Sequence, residues 1–156
     1  MGLQEEVDIL RKIPLFTKID ASKLKLLAFT SEHLEFADGD LICKQGDEGD
    51  AAFILLEGEA DVIVSTDQGE LKVASLARND VVGEIAILCD VPRTATVAAT
   101  SAVKTLRISK EGFFNLVKEF PQVGVQIMQE LASRLNETTQ KVTKLTAELR
   151  AAGGSG

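Results

Sequence analysis

Gly83 and Glu84 are followed by the apolar run Ile85-Ala86-Ile87-Leu88 and then by Arg93-Thr94-Ala95-Thr96. One short stretch therefore carries a glycine, a carboxylate, a small apolar turn and a guanidinium. A glycine lets the backbone approach a ligand closely, and a short helix begun just after it points free amides at an anion. Arg93 can meet phosphate oxygens through its planar fork of donors. Glu84 has the same sign of charge as a phosphate and is repelled by it, yet its carboxylate accepts hydrogen bonds from sugar hydroxyls. The combination suits a small molecule that carries both hydroxyls and a phosphate.

Gly83-Glu84-Ile85-Ala86 with Arg93-Thr94-Ala95-Thr96 resembles the phosphate-binding cassette of the cyclic-nucleotide-binding domains of catabolite activator proteins, cyclic-nucleotide-dependent kinases and gated channels. The resemblance implies that Glu84 holds a ribose 2′-hydroxyl and Arg93 the cyclic phosphate, with backbone contacts from Ile85, Ala86, Thr94 and Ala95. Further on, Leu135-Asn136-Glu137-Thr138-Thr139-Gln140-Lys141-Val142 is similar to the central helix of catabolite activator proteins. By that match Thr138 contacts the base bound in its own chain and Thr139 the base in a partner subunit. Position 139 departs from the family's serine but keeps the hydroxyl. The Thr138-Thr139 pair resembles an adenine reader, which favours cAMP. Thr94 resembles the residue with which cGMP-selective kinases favour guanine, so cGMP is the alternative. With no Trp or Tyr in the chain, capping of the purine falls to Leu131, Leu135 or the stem of Arg134.

Other chemistries find little support. His33 is the sole histidine, which leaves too few ligands for a metal-dependent barrel enzyme and no partner for a nucleophilic triad. Cys43 and Cys89 are far apart and match no metal-ligand spacing, so they are expected to be free thiols in a reducing cytoplasm. The expectation is a protein that is not an enzyme, with no catalytic residues, no metal and no cofactor beyond its ligand. A formal net charge of −7 argues against a broad nucleic-acid surface. Activators of the resembled family continue into a helix-turn-helix, and none follows the last helix here, so this chain alone is not expected to bind nucleic acid. No apolar run is long enough to cross a bilayer, and a membrane association is not expected. A third reading is a dimerising or docking module with a degenerate pocket; loss of Glu84 or Arg93 would favour it, and both are present.

The elements that must hold these residues follow from periodicity. The 156 residues, 45% apolar and 26% charged, suit one ordinary domain over 1–150. Apolar positions 3, 7 and 10 give a helix over 3–12; Pro14 and Leu15-Phe16 break it and form an apolar plug. Asp20 is placed to cap a helix over 21–29, on which Leu24, Leu27 and Ala28 share a face. This lead-in, 3–30, is expected to rest on a β-region over 32–108. There, eight short runs fall at 33–36, 41–44, 51–57, 59–65, 71–76, 80–82, 94–99 and 103–108, parted by Gly39, Gly46, Gly49, Gly58 and Gly69. Many short strands of this kind predict an antiparallel sandwich or jelly roll, and the eight-stranded roll of the resembled family fits the span. The fold class is thus mainly β with flanking helices.

Ser109 is placed to cap a helix over 110–119 with Phe113, Phe114 and Val117 inward. Pro121 suits the first turn of a long helix over 121–150. Its Met128, Leu131, Leu135, Thr138, Val142, Leu145 and Leu149 recur in alternating steps of three and four, a heptad seam that predicts a parallel two-stranded coiled coil and hence a homodimer. Residues 151–156 read as a flexible linker or tag.

Overall fold

The computed structural model describes residues 2–89 and 91–153. Its chain order is α1 (Leu3–Leu10), a 3-10 turn (Pro14–Phe16), α2 (Ala21–Thr30) and six strands: β1 (Glu32–Phe36), β2 (Leu41–Cys43), β3 (Ala51–Glu57), β4 (Ala60–Thr66), β5 (Gly69–Leu76) and β6 (Val81–Val82). A second 3-10 turn (Glu84–Ile87) precedes β7 (Thr96–Ala99), β8 (Val103–Ser109), α3 (Lys110–Glu119) and α4 (Pro121–Ala152). The strands form two four-stranded antiparallel sheets, β1-β8-β3-β6 and β2-β7-β4-β5.

β3 organises both halves of the core because its run from Ala51 to Leu56 is apolar at every position and buried on both faces. Ala52, Ile54 and Leu56 pack toward the helices, while Ala51, Phe53 and Leu55 point into the other core, with Val97, Ala99 and Val103. Alternating direction along a strand makes this division obligatory. The helical core joins Leu10 of α1, Phe16 of the plug, Leu24 and Leu27 of α2, Phe113 and Leu116 of α3, and Val123 and Ile127 of α4. Phe16 and Phe113 stack with centroids 5.6 Å apart. His33, on edge strand β1, sets its Nε2 against Glu6 Oε1 and so ties α1 to the sheet.

Several boundaries differ from the expectations. The first helix ends at Leu10 rather than 12, and β7 begins at Thr96 rather than 94. Asp20 stands at the N-cap of α2 but makes no side-chain cap; only its carbonyl accepts, from the Lys23 and Leu24 amides. Ser109 does cap, its Oγ accepting from the Gly112 amide at 2.9 Å. Phe114 is not inward: it is 37% exposed, because the buried stripe of α3 runs through Phe113 and Leu116 and the neighbouring position falls about 100° away from Phe113. Gly39, Gly46, Gly58 and Gly69 take positive φ, but Gly49 does not. Ala151 and Ala152, expected in the linker, continue α4; Gly154, Ser155 and Gly156 lie outside the described residues.

Candidate functional site

β6 pairs with β3 through Val82 and Phe53 and ends at Gly83, whose φ is +73°. A side chain is strained at that φ, and a Cβ there would also overlap Arg93 Nη1. The glycine is thus required twice, by the turn and by the guanidinium lying over it. The 3-10 turn then carries Glu84 to Arg134 of α4 and drives Ile87, 1% exposed, into the helical core. That anchor connects the turn to the same cluster that receives Ile127 of α4.

Arg93 is fixed by its backbone. Its amide donates to the Asp47 carbonyl at 2.7 Å, and its carbonyl accepts from the Gly46 amide at 2.9 Å. The glycine-rich turn between β2 and β3 therefore sets where the arginine emerges. Its Nη2 donates to the Ala51 carbonyl at 2.6 Å, whereas Nη1 is buried with no hydrogen-bond partner. Glu84 is divided in the same way: Oε1 lies 3.3 Å from Arg134 Nη1 of α4, and Oε2 is buried with no partner. Among the described residues, these are the two buried side-chain polar atoms left unsatisfied. A buried group in that condition costs about 1–3 kcal/mol, and one atom is a cationic donor, the other an anionic acceptor.

A cavity of about 210 Å³ opens beside Arg93, lined also by Gly83, Thr94 and Ala95 of the cassette and by Cys43, Val62, Leu76 and Val97. Burial pushes the Cys43 thiol above its ordinary pKa; the Arg93 guanidinium pulls it back, and Asp50 and Asp47 oppose that pull. A neutral thiol thus belongs to the apolar wall.

Gly83, Arg93, Thr94 and Ala95 meet at this cavity, and Glu84 follows Gly83 directly in the chain. Ile85 and Ala86 lie in the 3-10 turn. Thr138 and Thr139 are not brought to the cavity within one chain. Both are exposed on α4, and Thr139 Oγ1 donates to the Leu135 carbonyl at 2.9 Å. Of the side chains expected to cap a purine, Leu131 is half-buried on its own core, Leu135 is 69% exposed, and Arg134 pairs with Glu84. Sequence reasoning missed that ion pair and the Ala51 carbonyl. Glu130 and Arg134, four apart on one helix, were a legible signal that Arg134 is a pairing residue, but its second partner required the tertiary fold.

A profile of the cyclic nucleotide-binding domain matches residues 33–120. The cAMP-dependent protein kinase regulatory subunit of Emericella nidulans is 32% identical over 130 residues, which cover 83% of this chain and 31% of that protein. The chain spans less than half the length of the first curated relatives it matches. The N-terminal domain of a transcriptional regulator from Streptomyces coelicolor superposes with a TM-score of 0.80 at 28% identity, covering 85% of this chain and 96% of that one. The regulatory subunit of a cAMP-independent protein kinase A from Trypanosoma brucei gives a TM-score of 0.67 at 27% identity, covering 88% and 47%. With a family profile spanning more than half its length, and with Gly83, Arg93, Thr94 and Ala95 of the cassette lining one cavity, the chain belongs to the cyclic nucleotide-binding domain family.

Proposed function

We propose that the chain is a non-catalytic sensor whose ligand is a cyclic nucleotide, cAMP being favoured, and that the β-roll passes the binding event to α4. The observation that carries this reading is the pair of buried, unpartnered atoms, Arg93 Nη1 and Glu84 Oε2. A cyclic phosphate would satisfy the donor and a ribose hydroxyl the acceptor, so one molecule would relieve both deficits. Ile85, Ala86, Thr94 and Ala95 would add backbone contacts, and Gly83 permits the approach. The relative from Emericella nidulans, a cAMP-dependent regulatory subunit, supports the choice of cAMP.

Coupling to α4 has a direct route. The carboxylate that would take the sugar through one oxygen is held through the other by Arg134 of α4, so fixing Glu84 also fixes the helix. A ligand shifts such an equilibrium only by its difference in affinity for the two arrangements. On the outer face of α4, Met128, Leu135, Val142, Leu145 and Leu149 are between 57% and 72% exposed. These are five of the seven predicted seam positions; Thr138 is exposed as well, while Leu131 is half-buried on its own chain's core. We read the occupant of the exposed positions as a second copy of the chain in parallel. Thr139 would then face the partner's ligand and Thr138 its own. Sedimentation should find a dimer at micromolar concentration that Leu135→Glu converts to monomer; a monomer at every concentration rules this out.

A second reading keeps the site and changes the base. Thr94 lines the cavity beside Arg93, and a structural neighbour is described as cAMP-independent. Thermal-shift titrations with cAMP and cGMP side by side separate the two, since a specific ligand raises the melting temperature by mass action. We expect the larger rise with cAMP. A larger rise with cGMP selects the second reading, and no rise with either rejects both.

A further inference from the structure

Glu84 stands at one end of a run of alternating charges that crosses three elements. Arg134 Nη1 lies 3.3 Å from Glu84 Oε1, and Arg134 Nε lies 3.6 Å from Glu130 Oε1 one helical turn earlier on α4. The other oxygen of Glu130, Oε2, lies 3.7 Å from Lys18 Nζ, in the turn between the apolar plug and α2. The side chains of Glu130, Glu84 and Arg134 are only 17%, 20% and 29% exposed, while Lys18 is about half exposed at 49%.

A guanidinium is planar, so a carboxylate that holds its Nε edge also sets the direction of its Nη donors. Glu130 occupies that edge. With Glu130 in place, Arg134 is committed to pointing Nη1 at Glu84; without it, a long side chain with many rotamers is released. Arg134 in turn occupies one oxygen of Glu84 and leaves Oε2 as the free acceptor.

We propose that Glu130 is a positioning residue for the sugar end of the site: it touches no ligand, and it sets affinity by aiming Arg134 at Glu84. Lys18 holds the far oxygen of Glu130, so the N-terminal segment is tied into the same run. The inference rests on the proposed function, because it presupposes that Glu84 receives a sugar hydroxyl.

The test uses the full chain and two probes, cAMP and its 2′-deoxy analogue, which lacks the hydroxyl assigned to Glu84. Glu130→Gln should weaken cAMP binding about fivefold and leave binding of the deoxy analogue unchanged. In an Arg134→Gln background the same substitution should have no further effect, since residues acting in series are not additive. Glu130→Asp, which keeps the charge on a shorter stem, should recover part of the loss and guards against a folding defect in the glutamine variant. Equal weakening for both nucleotides, no weakening for cAMP, or additive losses with Arg134→Gln would overturn the proposal. An unaltered chain that binds both nucleotides equally, or neither, overturns the reading of the site itself and this inference with it.

Discussion

Arg93→Ala should reduce cAMP binding by about 2–4 kcal/mol, because it removes the charge partner of a buried phosphate. That corresponds to roughly a thirtyfold to thousandfold rise in Kd. The chain as a whole is acidic, with a formal net charge of −7, so attraction of an anion must be won locally, at short range and out of water. The fold should survive the substitution. The bonds that hold this loop to the β2–β3 turn are made by the backbone of Arg93, to Gly46 and Asp47, and alanine keeps them. The variant should therefore melt near the unaltered chain while losing most of its affinity. Calorimetry that finds the affinity unchanged would refute the assignment of Arg93.

Gly83→Ala should be nearly as damaging to binding, through geometry rather than charge. The residue sits at φ +73°, where a Cβ costs about 1–2 kcal/mol, and that Cβ would overlap Arg93 Nη1. The guanidinium, the far end of a flexible side chain, would have to shift from its place beside the Ala51 carbonyl, to which Nη2 donates. Urea unfolding should show a loss of about 1–2 kcal/mol from the backbone strain alone, and titration should show cAMP affinity reduced by at least tenfold. A variant that binds cAMP as tightly as the unaltered chain would mean that close approach at this turn is dispensable.

Much of the architecture is legible in the sequence because its signals are local. The unbroken apolar run of β3 marks a strand buried on both sides, Ser109 stands where α3 must begin, and Pro121 opens α4. The cassette is legible for the same reason: Gly83, Glu84 and Arg93 are close in the chain. What sequence does not disclose is set by neighbours that only folding supplies. The partner of Arg93 Nη2 is a backbone carbonyl, Ala51, which has no side-chain signature. The second partner of Arg134, Glu84, lies fifty residues away. Phe114 belongs by type to the core, yet α3 is already seated through Phe113 and Leu116 and has no further apolar face to cover it. Thr138 and Thr139 are exposed in one chain; the proposed role of Thr139 depends on a second copy, and that of Thr138 on α4 closing over its own chain's ligand.

The central claim is that Arg93 Nη1 and Glu84 Oε2, buried and unpartnered, await the phosphate and the sugar of one cyclic nucleotide. Calorimetric titration of the unaltered chain with cAMP tests this most directly. The account predicts saturable binding of one nucleotide per chain; a flat titration into millimolar cAMP, repeated with cGMP, would contradict it.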